Sequence, residues 1–246
     1  PTHQRKQNWS RLSGTGPGIG IKIKRGKYAG RLVFPVYFNS QGMFIVPILS
    51  LSACVIYSDD GGRTWKRGKS PNDGRKKHGI RLSSRFVADW NNITESQVIE
   101  LPDGTLRMFM RNHSLKRLVA MAESTDGGET WHNYRHNEYL PQPICQVSVL
   151  NADYNGREVT LVCNAADKQK RINGIVRLSY DYGETFVSSM PVKQPEEDNG
   201  FVYSCMTQAK NGDIVLLYEG STMHETIENI VFPISALENY KNGKTE

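Results

Sequence analysis

Apolar residues fall in short runs along the chain, and the spacing of three or four that marks an amphipathic helix is nearly absent. RLVFPVYF (31–38), ACVIYS (53–58), SQVIEL (96–101), TLRMFMR (105–111) and DIVLLYE (213–219) stand between Gly, Asp and Asn turns. Short runs rich in Val, Ile, Tyr and Phe bounded by turn formers predict strands, and the chain reads as an all-β protein. Two hairpins are explicit. Pro102, Asp103 and Gly104 separate SQVIEL from TLRMFM, and Asn211, Gly212 and Asp213 separate YSCMTQ from IVLLYE. Residues 234–240 read as one short helix or turn.

One pattern recurs. SDDGGRTW (58–65), STDGGETW (124–131) and SYDYGETF (179–186) share S-x-D-x-G-x-T-[W/F]. With each specified residue occurring at roughly one position in fifteen or fewer, three chance matches are not credible. The physics is that of a locked turn. The Asp side chain can bond nearby N–H groups, Gly can take positive φ, and the aromatic residue packs the turn onto its own sheet. Starts at 58, 124 and 179 lie 66 and 55 residues apart. That spacing suits one four-stranded sheet per repeat, the arrangement of a β-propeller.

With 246 residues, 38% hydrophobic and 23% charged, the chain can bury a sizeable core and is too apolar for a disordered protein. Its net charge of +6 is scattered apart from short clusters at 66–69 and 75–77, which favours an anionic partner without naming it. The longest apolar stretch, 43–57, falls short of the ~20 residues of a membrane span and contains Pro47, so no transmembrane helix is expected. The first residues, PTHQRKQNWS, lack a signal-peptide core and do not begin with Met, which reads as a processed or cut end. Cys54, Cys145, Cys163 and Cys205 are too few and too widely spaced for a disulfide framework or a CxxC zinc site, and read as buried free thiols.

Other signals are weaker. The stretch GTGPGIG (14–20) lacks GxGxxG spacing, contains Pro and precedes strand-like GIKIK, so nucleotide binding is rejected. HNYRH (132–136) has the His spacing of a zinc helix, but Asn occupies the place of the metalloprotease Glu, and an exposed loop is expected. The acidic turn at Asp59 and Asp60 does not have calcium-loop spacing. No metal, no cofactor and no nucleic-acid partner are expected.

The repeats are similar to the Asp boxes of the sialidase (neuraminidase) superfamily. Between Gly14 and Glu219 the chain resembles the later part of a bacterial-type exo-sialidase catalytic domain. The resemblance is carried by GTGPGIGIKIK (14–24) with GRLVFPVYF (30–38), ITESQVIELPDGTLRMFMRN (93–112), KRINGIVRLS (170–179), FVYSCMTQ (201–208) and LLYEGS (216–221), in the family's order. It implies a six-bladed β-propeller, with residues 1–246 forming about four blades at the C-terminal end of one catalytic domain. An N-terminal remainder of the propeller is then expected.

Residue by residue, the resemblance assigns Tyr203 as nucleophile, Glu95 as its base, and Arg111 and Arg171 as two of three arginines gripping the substrate carboxylate. Glu219 matches the residue that orients the remaining arginine. That arginine, in an R-[I/L]-P motif, has no match in this chain, and the general-acid Asp that follows it cannot be assigned either.

The chemistry fits these residue types. Sialic acid bears a carboxylate on its anomeric carbon, which fixed arginine charge can grip bidentately. The same carboxylate would repel an anionic nucleophile, so a neutral Tyr hydroxyl with a Glu base is suited to the task. Glu95 and Arg111 flank the 102–104 turn and can share the opposite end of their hairpin. Taken singly, each residue has an ordinary rival: a strand-end charge for either arginine, a loop carboxylate for Glu95, core packing for Tyr203.

The resemblance implies a retaining exo-α-sialidase acting on sialylated glycoproteins, glycolipids and oligosaccharides, secreted or held at the cell surface. A trans-sialidase, including the intramolecular kind, would keep the same residues. A non-catalytic sialoglycan-binding propeller is the alternative of a different class. Sequons at Asn8, Asn92 and Asn112 are expected to be unmodified, because two of them adjoin Glu95 and Arg111.

Overall fold

The computed structural model describes residues 10–41, 49–84, 87, 89–193, 200–220, 226–241 and 244–245. Asn8 and part of the 43–57 stretch lie outside them. Within the described residues the chain is almost wholly β, in four main sheets that succeed one another in a propeller arrangement.

The first sheet holds β1 (Ser10–Thr15), β2 (Ile21–Lys22), β3 (Leu32–Gln41), β4 (Leu49–Ser58) and β5 (Lys66–Arg67). A two-stranded ribbon, β6 (Lys76–Lys77) and β7 (Ile80–Arg81), leads into the second sheet of β8 (Ile93–Glu100), β9 (Leu106–Asn112), β10 (Leu118–Ser124) and β11 (His132–Pro141). The third comprises β12 (Val147–Tyr154), β13 (Arg157–Ala165), β14 (Gly174–Ser179) and β15 (Ser188–Pro191). The fourth comprises β16 (Ser204–Gln208), β17 (Ile214–Glu219) and β18 (Ile227–Phe232). Helix α1 (Ile234–Glu238) and a terminal ribbon, β19 (Tyr240–Lys241) and β20 (Lys244–Thr245), follow. Apart from β1, which pairs with β3 across β2 in the chain, the ladders of the described residues join antiparallel strands adjacent in sequence, as a meander requires.

Alternation along each strand explains how the sheets stack. On β9, Leu106, Met108 and Met110 face one core together with Val33, Val55 and Trp131 of the first two sheets. Phe109, between them, faces another with Val147, Val149 and Val162 of the third. A third core joins Leu161, Leu178, Met206 and Leu216 with Ile234 and Leu237 of α1. A strand buried on both faces loses its polar alternation, and β8 is buried at every position. It packs against both β3 and β12, and β12 in turn against β16.

The three repeats are the turns between the third and fourth strands of their sheets, joining β4 to β5, β10 to β11 and β14 to β15. In the second, Ser124 Oγ donates to Asp126 Oδ1 (2.8 Å), and Thr130 N and Oγ1 donate to the same carboxylate (2.8 and 2.5 Å). Gly128 N closes the turn onto Ser124 Oγ (2.8 Å). The same four bonds recur around Asp60 and Asp181. Glycine is required twice over in the second and third turns. Gly128 has φ of 95°, and a Cβ there would lie 2.8 Å from Val55 Cγ2; Gly183 has φ of 82°, and its Cβ would lie 2.7 Å from Phe109 Cζ.

The second and third turns are each tied to the preceding sheet by one arginine. Arg31 bonds Asp59 and reaches the carbonyls of Asp126 and Gly127 and the carboxylate of Glu129. Arg107 repeats the device one sheet later, bonding Glu123, the carbonyls of Asp181 and Tyr182, and Glu184.

Three expectations need adjustment. Residues 132–136 form the start of β11 rather than a loop: an outer strand is largely solvated, so its polar residues carry no apolar alternation. Cys54, Cys145 and Cys163 are buried thiols, but Cys205 is half-exposed. The 234–240 stretch divides into α1 and the start of β19. No helix of the described residues is long and apolar enough to cross a membrane.

Candidate active site

Glu95 and Arg111 occupy the end of the β8–β9 hairpin opposite the 102–104 turn. Ile93 pairs with Asn112 and Ser96 with Met110, so Thr94 and Glu95 together face Arg111 across a bulge. Such a bulge re-aims a side chain out of the regular alternation. Glu95 is only 8% exposed, and Arg111 Nη1 donates to its Oε2 at 2.7 Å.

Tyr203 reaches the same carboxylate from the fourth sheet, 108 residues away in sequence. Its phenol donates to Glu95 Oε1 at 2.6 Å, while Arg111 Nη1 donates to the phenolic oxygen at 3.1 Å. The three groups close a triangle: the phenolic proton points at a carboxylate, and a guanidinium holds the oxygen. Burial, reinforced by the hydrogen bond and charge of Glu95, pushes the Tyr203 pKa up to about 12. Burial also works against the Arg111 charge, but Glu95 outweighs it and the Arg111 pKa is raised. The resting site therefore holds a neutral phenol. Its proton is directed at Glu95 Oε1.

Arg171 sits in the connection from β13 to β14. Its carbonyl accepts from Phe201 N (2.9 Å), and Ile172 bridges Gly200, so the main chain carries Arg171 next to the Tyr203 segment. The guanidinium carbon lies 5.9 Å from the Tyr203 ring centroid, and Nη2 donates to the Ile144 carbonyl at 3.4 Å. Glu219 ends β17, and its N–H donates to the Tyr203 carbonyl at 2.9 Å. All five expected residues therefore come from one end of three successive sheets.

Asn92 and Asn112 adjoin this site and are 0% and 1% exposed. Asn112 Nδ2 donates to the Leu118 carbonyl (2.6 Å), and Asn92 Oδ1 accepts from Leu51 N (2.9 Å), which leaves no room for a glycan on either.

Sequence reasoning missed a largely buried segment, 142–146, that bonds the main chain beside Arg111 and Tyr203 and the guanidinium of Arg171. Gln142 Nε2 donates to the Asn112 carbonyl, Cys145 Sγ to the Val202 carbonyl, and Gln146 Nε2 to the Ser204 carbonyl. Burial pushes the Cys145 thiol up to about 11, so it is a neutral donor and not a thiolate. No spacing rule marks PQPICQ; only two glutamines flanking an otherwise apolar stretch could have drawn notice. Among the described residues no group of three or more His, Cys, Asp or Glu is arranged to hold a metal ion.

Residues 12–216 match the family described as BNR repeat-like domain. A sialidase of Micromonospora viridifaciens is 29% identical over 212 residues, covering 83% of this chain and 28% of its own length. The anhydrosialidase of Macrobdella decora is also 29% identical, over 228 residues, covering 87% of this chain and 26% of its own. Among solved structures, the intramolecular trans-sialidase from Ruminococcus gnavus is similar with a TM-score of 0.72 and 26% identity, covering 94% of this chain and 46% of that one. The chain spans 26% to 35% of the length of these curated relatives and a third from Bacteroides fragilis.

Proposed function

Because the chain belongs to the BNR repeat-like domain family and is built on a bacterial-type sialidase propeller, we propose that it forms part of a retaining exo-α-sialidase. The observation that carries this reading is the 2.6 Å contact of Tyr203 Oη with Glu95 Oε1, with Arg111 against both. Carbohydrate binding alone has no use for a buried carboxylate aimed at a phenolic proton, which argues against a non-catalytic propeller.

In the proposed reaction Arg111 and Arg171 hold the sialic acid carboxylate, and Tyr203 Oη attacks the anomeric carbon. The phenolic proton passes to Glu95 as the new C–O bond forms and the glycosidic C–O bond breaks. The leaving oxygen takes its proton from a general acid that no residue of this chain matches. Water then attacks the glycosyl-tyrosine, giving a proton to the conjugate base of that general acid, and Tyr203 leaves and recovers its proton from Glu95. Two inversions give a product of retained configuration. The substrates are sialylated glycoconjugates, met outside the cell or at its surface.

We assign the four sheets to a six-bladed catalytic domain whose remainder supplies the general acid and third arginine. Glu219 would orient that arginine. An intramolecular trans-sialidase is the second reading, favoured by the likeness to the Macrobdella decora and Ruminococcus gnavus proteins.

The test uses the full-length protein and a chromogenic aryl sialoside. Tyr203→Phe and Glu95→Gln should each abolish turnover, and a wild-type rate in either variant overturns the assignment. NMR of the product from a natural sialoside separates free sialic acid from an anhydro sugar or a transfer product.

A further inference from the structure

Tyr203 precedes β16, and its main chain is secured on one side by the fourth sheet. Its carbonyl accepts from Glu219 N (2.9 Å), Val202 N donates to the Glu219 carbonyl (3.1 Å), and Ser204 pairs with Tyr218. On the other side lies β12, which belongs to a different sheet and has no ladder with β16. A strand-start peptide there would be left with buried, unpaired groups.

Gln146 supplies what the missing ladder does not. Its carboxamide offers one acceptor and one donor in a plane. Oε1 accepts from Ser204 N at 3.1 Å and Nε2 donates to the Ser204 carbonyl at 3.0 Å, with Gln146 only 1% exposed. Cys145 Sγ grips the carbonyl on the other flank of Tyr203, that of Val202, at 3.1 Å. Gln142, fully buried, donates to the carbonyl of Asn112 beside Arg111 (2.9 Å) and accepts from Cys145 N (3.0 Å). Ile144, at φ of 58°, turns its carbonyl to Arg171.

We infer that segment 142–146 is the positioning bracket of the site, and that Gln146 is the positioning residue that sets the Tyr203 hydroxyl against Glu95. The inference rests on the reading of Tyr203 as nucleophile. Gln146 acts through the Ser204 peptide and touches no reacting atom. The bracket matters because the two partners come from sheets that share no ladder, and a shift near 1 Å between reacting groups can cost about a hundredfold in rate.

The experiment compares the full-length protein with Gln146→Met, which keeps the volume and loses both hydrogen bonds, and Gln146→Glu, which keeps the acceptor. Kinetics on an aryl sialoside are read beside the thermal midpoint and the titration of Tyr203, followed by tyrosine carbon NMR with Tyr203→Phe for assignment. The Met variant should lose about 10- to 100-fold in kcat with KM within about threefold, because carboxylate binding by the arginines is not displaced. Tyr203 should titrate lower as its contact with Glu95 loosens. The Glu variant should approach the wild-type rate as pH falls, since a protonated carboxyl again donates to the Ser204 carbonyl; this arm carries the test if the Met variant does not fold.

A kcat within about twofold of wild type, a loss confined to KM, an unmoved Tyr203 titration or a pH-independent deficit in the Glu variant each overturns the inference. A wild-type protein that fails to cleave the sialoside refutes the proposed reaction instead. The Tyr203 titration then still reads the bracket.

Discussion

Tyr203 Oη donates to Glu95 Oε1, and the proposed reaction asks Tyr203 to lose that proton and Glu95 to take it. The pKa of about 12 at Tyr203 keeps the phenol neutral through the neutral and mildly alkaline range. In the proposed reaction an anionic nucleophile is thereby avoided until attack begins. In Glu95→Gln the phenol no longer faces a carboxylate charge, so its pKa should fall toward the ordinary ~10, measured by tyrosine NMR. A second prediction concerns Arg111, whose guanidinium is fixed by Glu95 and Tyr203. Arg111→Ala should raise KM or lower kcat/KM by about a hundredfold on a free sialoside, and much less on its carboxylate methyl ester, if a charge-assisted bond to the substrate is what it provides. These residues were legible in the sequence because Glu95, Arg111, Arg171 and Tyr203 stand in motifs with fixed order. Gln142, Cys145 and Gln146 were not, because each acts on the main chain of a residue far off in sequence: Gln146 and Ser204 lie 58 positions apart.

At the level of elements, the turn repeat was legible for the same physical reason that it is stable. Ser124, Asp126 and Thr130 supply the side-chain oxygens that close the turn and Gly128 the positive φ it needs, so the sequence cannot drift without cost. Outer strand β11 had no such signature; its polar residues read as a loop until its pairing with β10 is seen. The bulge that aims Glu95 was equally hidden, since it is a property of register and not of composition. Burial pushes the Asp126 carboxyl up, but the Thr130 and Ser124 bonds outweigh it and hold the pKa below its usual value; Asp181 behaves alike. A folded-state pKa below the unfolded value of about 3.9 gives stability that is present above that value and lost as pH falls through the folded one. Asp126→Ala should therefore cost about 1–2 kcal/mol near neutral pH and flatten the acid limb of stability, measured as urea midpoints against pH.

Across the whole molecule, the site exists only when three sheets hold register together, since Glu95 and Arg111, Arg171, and Tyr203 come from the second, third and fourth. No sheet owns a private core: β9 gives Met108 and Met110 to one and Phe109 to the next. Loss of the second or third sheet would expose two cores, and loss of the first or fourth would expose the core it shares with its neighbour, which couples their unfolding. Arg107 reinforces the joint between the second and third sheets. It is 6% exposed, pairs with Glu123 and Glu184 (both 2.8 Å), and caps the Asp181 and Tyr182 carbonyls. Arg107→Met would strand those carbonyls, although Arg135 still bonds Glu123 and Glu184. Because Glu184 is partly solvated, the loss should be about 2 kcal/mol, less than for a fully buried pair. The clamp lies beside the third repeat turn and away from Tyr203, so its loss should lower the urea midpoint while activity and the intrinsic tryptophan fluorescence of the folded state still disappear together. Activity lost at lower urea than the fluorescence change would mean that the sheets part locally at the site, and that the shared cores do not couple them.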